Sequence, residues 1–286
     1  CTSLTSIVLP ENLEYIGSTP FGGCTNLKEV TILSLKEAYS YGSTTKPFVD
    51  CPALEKIVLG DGVEILPDYF FHEMTNLTQI DLPDNITSIG EYAFRLSGIT
   101  SLVVPANVTT IGIYAFADCT ALETVYIPEG LTAIDKDVFN NCTSLKNVFT
   151  YRINEEGEME ILNQIEEGVA DLSCITSINT SAFGNCTSLS EVIFSENLTT
   201  LGGSAFKGSG LKSVTVPGSI SVLSASIFES CLSLETVVLE EGVTEIGSKV
   251  FLGCTALKNV TLPESLVEIG SNAFENCTAL MEIVIP

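Results

Sequence analysis

The stretch Val243-Thr-Glu-Ile-Gly247-Ser-Lys-Val-Phe251-Leu-Gly-Cys254-Thr-Ala-Leu257-Lys-Asn-Val-Thr-Leu-Pro263 is one turn of a pattern that the rest of the chain repeats. Its Phe recurs at 21, 48, 71, 94, 116, 139, 183, 206, 228, 251 and 274. The spacings are 22 or 23, apart from 27 before Phe48 and 44 before Phe183. Five or six residues beyond each Phe an L-x-x-[VI]-x-[LIV]-P phrase opens, as in Leu77-Thr-Gln-Ile-Asp-Leu-Pro83. A [VIL]-x-x-[IL]-G phrase follows, as in Val108-Thr-Thr-Ile-Gly112. A fixed period of this length marks a repeat architecture.

Each slot has a physical reason. The L-x-x-V-x-L phrase is rich in strand formers, and its Pro stops the strand from running on. No helix of ordinary length fits between such breaks, so each coil is read as short strands and turns. The slot after the second Ile holds Gly17, Gly90, Gly112, Gly202, Gly247 and Gly270, with Asp135 and Asn179 in two other units. These types tolerate positive φ, so a left-handed turn is expected there. No single coil can bury its Leu, Val, Ile and Phe, but a stack of coils can. The fold class is a mainly β repeat solenoid.

Together with the F-x-x-C-x-x-L element, seen in Phe116-Ala-Asp-Cys119-Thr-Ala-Leu122, the pattern resembles the BspA-like leucine-rich repeat family. The resemblance covers nearly the whole chain outside 34–47 and 152–173. It implies a curved right-handed solenoid with a concave parallel sheet and short turns on the convex side. Twelve phrases, at Leu4, 27, 54, 77, 122, 145, 189, 211, 234, 257 and 280 and at Ile99, predict about twelve coils of 22–23 residues. The resemblance further implies a bacterial cell-surface or secreted protein, with adhesion or host-protein binding as the family's recurrent role. One solenoid is expected over 1–286. Cys1-Thr-Ser-Leu4 and Ile283-Val-Ile-Pro286 both fall inside repeats, which reads as a piece of a longer array.

Charge excludes several function classes. The chain carries 36 acidic against 12 basic residues, a formal charge of −24. That opposes nucleic acid and anionic lipid alike. No apolar run approaches the ~20 residues of a membrane helix. His72 is the single imidazole, and no metal, phosphate-loop, nucleophile-elbow or C-x-x-C motif occurs. The reading is no enzyme, no cofactor and no metal. His72-Glu73 lies in the usual Phe-to-Leu turn and is read as a surface residue.

Nine of the ten Cys (1, 24, 51, 119, 142, 186, 231, 254 and 277) share one slot, and only Cys174 stands outside it. They are read as buried free thiols behaving as small hydrophobes, with bridges between neighbouring coils as the alternative. The N-x-[ST] triplets at Asn141, Asn185 and Asn276 enclose a ladder Cys and follow from the repeat rather than from glycosylation.

Binding is expected on the concave face, in the position just after Val of each phrase. There Val103, Tyr126, Phe149 and Ile193 form an apolar stripe, and Tyr and Phe are enriched in interface cores. The 152–173 insertion carries seven acids against Arg152. Phe149, Tyr151 and Ile153 alternate, as do Met159 and Ile161, across Asn154-Glu-Glu-Gly157, which predicts a hairpin. Ile161, Ile165 and Val169 then recur at helical spacing. The expected ligand-binding set is Val103, Tyr126, Phe149, Ile193, Tyr151, Glu155 and Glu156. Tyr39 and Tyr41 of the shorter insertion are weaker candidates. The expected partner is a protein, such as a host matrix or plasma component. A structural spacer and a glycan-binding module are the alternatives, and oligomeric state stays open.

Overall fold

The computed structural model describes residues 1–36, 42, 46–163 and 167–286. Tyr39, Tyr41 and Ile165 lie outside the described residues. Among the described residues there is no helix, and the chain winds as a parallel-strand solenoid of about 11 turns, one fewer than the phrases predict.

The L-x-x-V-x-L phrases supply the strands of one face. These are β1 (Ser6–Leu9), β2 (Glu29–Leu35), β3 (Lys56–Val63), β4 (Ser101–Val103), β5 (Thr124–Pro128) and β6 (Asn147–Ile153). The 152–173 insertion adds β7 (Met159–Ile161) and β8 (Val169–Leu172), and the phrases continue as β9 (Glu191–Phe194), β10 (Ser213–Val216), β11 (Thr236–Leu239) and β12 (Asn259–Thr261). All pair in parallel along the face except β7, which runs antiparallel to β6. Alternation is clean in β10, where Val214 and Val216 are buried while Ser213 and Thr215 face out. The three longest strands lack the punctuating Pro: in β2, β3 and β6 its slot holds Leu33, Gly60 and Tyr151, and they reach seven, eight and seven residues. Strands β9 and β11, with Ser195 and Glu240 in the slot, still stop at four.

The sheet is broken twice. Leu77–Leu82 forms no strand, and β9 does not pair with β10. Both breaks adjoin turns one residue shorter than the rest, Ser97-Gly98-Ile99 and Ser209-Gly210-Leu211. The shorter turn pulls each coil onto its predecessor. A Cβ on Gly98 would lie 2.0 Å from Thr75 O, and one on Gly210 2.1 Å from Thr187 O.

The opposite side carries a ladder of Phe rings from Phe71 to Phe274, with centroids 5.0 to 6.0 Å apart. Paired strands sit closer, about 4.8 Å apart. The stack therefore curves toward the sheet, which is the concave face.

Two expectations change here. The slot glycines Gly90, Gly112, Gly202 and Gly247 do not take positive φ; they stand where one coil's backbone touches the next. A Cβ on each would fall 2.4 to 2.5 Å from a neighbouring backbone atom. Left-handed φ instead occurs two residues before and two after each Phe of the ladder from Phe71 to Phe274, as at Tyr92 and Leu96 around Phe94 or Tyr114 and Asp118 around Phe116. Secondly, Val169 lies in β8, a sheet strand, rather than on a helical turn. The long unit contributes two strands, β6 and β8, between consecutive rungs Phe139 and Phe183, which stack at 5.4 Å.

The Cys slot also gains a reason. Seven of the nine ladder thiols, all but Cys1 and Cys24, donate to the Phe carbonyl of the preceding coil, as Cys119 to Phe94 at 3.0 Å, Cys142 to Phe116 at 3.1 Å and Cys186 to Phe139 at 3.2 Å. Where Ser replaces Cys, its hydroxyl meets the next thiol, as Ser97 meets Cys119 at 3.4 Å. Burial pushes Cys119 and Cys231 up to about 11 and also raises Cys142 well above the ordinary thiol value. Thiolate is the reactive form, so a thiol reagent at pH 8 should label Cys1 rapidly and leave Cys119, Cys142, Cys186, Cys231 and Cys254 unmodified until denaturant is added. Mass mapping that finds Cys142 modified in the native protein would contradict this packing.

Candidate functional site

Parallel register builds a column of side chains across the concave face. Val103 stands opposite Tyr126, and Tyr126 opposite Phe149. The Tyr126 and Phe149 rings lie 5.3 Å apart at 30°. Both are half-buried, and Val103 beside them is exposed. These three make one continuous apolar surface that the coil stack does not use for its own core.

Ile193 is exposed as well but does not join them. Strand β8 places Asp171 between, since Val148 pairs with Ala170 and Asp171 pairs with Ile193. Asp171 is 1 % exposed and accepts hydrogen bonds from Asn163 Nδ2 at 2.8 Å and Ser173 N at 3.1 Å. Asn163 follows the hairpin, so the returning chain covers the face at β8. The stripe read from the sequence is thus split by a buried carboxylate, with Ile193 on the far side.

Tyr151 does not reach the surface. It is 2 % exposed, and its Oη donates to Val104 O at 2.6 Å, two coils away. Burial raises its hydroxyl to about 12, so it is a neutral tether fixing the hairpin base to the rim of the sheet. Glu155 and Glu156 sit exposed at the hairpin tip, in a turn held by Asn154 Oδ1, which accepts from Glu156 N and Glu158 N.

The hairpin contributes residues absent from the expected set. Ile153 pairs with Met159, and Tyr151 with Ile161. Directly opposed residues share a face, and residues two apart on a strand share it too. Ile153, Met159 and Ile161 therefore continue the face that carries Phe149. They are 47 %, 41 % and 41 % exposed. Their alternation was visible in the sequence; what it lacked was a register tying it to the stripe.

Cys51, Lys46, His72 and Glu73, nucleophile and base types, line one cavity. The geometry is structural. His72, read as a surface residue, is buried, with Nδ1 2.9 Å from Arg95 O. Lys46 Nζ pairs with Glu73 at 2.7 Å, and burial raises the Cys51 thiol rather than lowering it. Burial, then the neighbouring Lys46, also lowers the His72 pKa below its ordinary 6.5. The unfolded chain thus binds the proton more readily than the folded one. This contribution to stability is complete above about pH 6.5 and is lost as pH falls toward the folded-state value. The urea midpoint of the native protein should drop more between pH 7.5 and 5.5 than that of His72→Gln. Equal drops would show that His72 is not the group responsible.

The profile of the BspA type leucine rich repeat region matches residues 1–42, 44–158 and 170–286, in six copies. The chain belongs to that family. Among solved structures, this BspA-type chain is similar to a leucine-rich repeat protein from Bacteroides ovatus, with 26 % identity and a TM-score of 0.73 over 99 % of this chain and 75 % of that one. It is also similar to a leucine rich cell surface protein from Faecalibacterium prausnitzii, with 27 % identity and a TM-score of 0.53 over 97 % of this chain and 78 % of that one. A leucine-rich repeat protein from Eubacterium ventriosum, at 17 % identity and TM-score 0.51, shares the fold. A comparison with curated proteins finds no match. Leucine-rich repeat domains generally serve as scaffolds for protein–protein interaction.

Proposed function

We infer that this BspA-type chain is a non-catalytic protein-binding module of a bacterial cell surface, engaging a host protein or matrix component through its concave face. The observation that carries the reading is the Val103–Tyr126–Phe149 surface, large apolar groups displayed on an open sheet where the fold does not require them. Exposed apolar patches of this kind mark interaction sites, and aromatic residues dominate the energetics of interface centres. The likeness to a leucine rich cell surface protein supports the location.

A solid-phase screen against matrix and plasma proteins, at two salt concentrations, tests the reading. The double variant Tyr126→Ser/Phe149→Ser should lose about 100-fold or more in affinity, since each anchor of this type is worth about 2 kcal/mol or more. Ile193→Ser should lose less than about tenfold, because Asp171 separates it from the patch. Full affinity in the double variant, with an unchanged circular dichroism spectrum, would remove the site. No binding anywhere on the panel would remove the function.

A further inference from the structure

Strand β7 leaves one edge of the hairpin open. Leu162 N donates to Thr150 O at 3.0 Å and Asn154 N to Glu158 O at 2.9 Å. With Arg152 opposite Glu160, this alternation turns the backbone groups of Glu158, Glu160 and Leu162 toward β6. The N–H and C=O of Met159 and Ile161 point the other way. Among the described residues no hydrogen bond reaches them. They form a short strand edge whose donors and acceptors await a partner.

The two faces of that edge differ in chemistry. Met159 and Ile161 lie with Ile153 on the apolar side. Glu158 and Glu160 lie on the other, beyond the tip residues Glu155 and Glu156. The hairpin's base, Arg152, is already paired with Glu160 at 2.8 Å, and Glu155, Glu156 and Glu158 have no ion pair among the described residues. A second copy of this chain would bring acid against acid, with −24 on each molecule. A strand whose residues alternate between apolar and Lys or Arg would complete the edge hydrogen bonds, cover Met159 and Ile161, and set cations opposite Glu158 and Glu160.

We propose that the free edge of β7 binds an extended protein segment in which apolar residues alternate with Lys or Arg, by addition of a strand. This deepens the protein-binding reading by naming a partner chemistry, but it uses the edge of the hairpin rather than the concave column.

The probe is a capped, fluorescein-labelled Lys-Val-Lys-Val-Lys-Val-Lys peptide, with the block peptide Lys-Lys-Lys-Lys-Val-Val-Val as control. Fluorescence anisotropy should show the alternating peptide binding at least tenfold tighter than the block peptide, more weakly at high salt. Ile161→Pro removes one outward N–H at a position where an edge tolerates Pro, and should weaken binding at least tenfold. Glu158→Lys should weaken it too. In the native protein, saturating peptide should slow hydrogen exchange at the Met159 and Ile161 amides, a readout that needs no variant to fold. Ile161→Pro is read against the peptide and Tyr126→Ser/Phe149→Ser against the matrix and plasma panel, so this proposal and the concave-face reading fail separately. Equal binding of both peptides, or unchanged exchange at Met159 and Ile161, overturns the proposal. So does a self-dimer, seen by sedimentation, that protects those same two amides.

Discussion

Replacing Phe139 with Ala is expected to cost about 3–5 kcal/mol, the range for deleting a large buried ring. Phe139 is fully buried between Phe116 at 5.5 Å and Phe183 at 5.4 Å, in near-parallel stacks. Neither neighbour can fill the space, because the backbone of each is held by a hydrogen bond to the following coil: Phe116 N to Val138 O at 3.0 Å, Phe183 N to Ala205 O at 2.8 Å. Coils contact chiefly their neighbours, so a weakened interface divides the array. Urea unfolding followed by circular dichroism should show a lower midpoint and a broadened or split transition. A loss below about 1 kcal/mol would show that the sheet, not the Phe ladder, holds this part of the stack.

Gly112→Ala should be nearly as damaging, about 3 kcal/mol at the upper end of overpacking. The added methyl would lie 2.5 Å from Glu91 N and 2.7 Å from Gly90 C, both backbone atoms of the previous coil. Backbone cannot step aside as a flexible side chain does. Gly130 is the internal comparison: a Cβ there meets nothing within 4 Å and its φ is not left-handed. Gly130→Ala should be neutral or stabilising by up to about 1 kcal/mol, through the unfolded chain alone. Denaturation midpoints of the two variants, measured side by side, check the contrast. Similar effects in both would return the slot to a conformational explanation.

The period, the strands and the solenoid were legible because Leu, Val, Ile and Phe recur at fixed slots and alternate as a half-buried strand must. The glycine slot misled because one residue type answers two needs, positive φ and close backbone approach; only the neighbouring coil tells them apart. Before each Phe the true left-handed positions hold residues such as Tyr69, Tyr92, Tyr114 and Lys249, which carry no sign of that conformation. After it, Gly23, Asp118, Asn141, Asn185, Gly208, Gly253 and Asn276 did carry the sign, next to the Cys slot.

The site was legible in part. Tyr126 and Phe149 stand where the column placed them. Strand β8 stayed hidden because Ala170 replaces the usual Val and no Leu opens its phrase. Its Asp171 therefore could not be seen to part Phe149 from Ile193. Tyr151 alternated correctly with Phe149, but no pattern in the chain announces that its hydroxyl reaches Val104 O.

The doubled strand of the long unit has a consequence for the shape offered to a partner. Between Phe139 and Phe183 the outer rim advances by one rung, 5.4 Å. The inner face advances over the same interval by two strand spacings, about 9.6 Å. The coil therefore widens on the side that carries Tyr126, Phe149 and the hairpin, and a partner meets one strand more of sheet there than the Phe ladder counts.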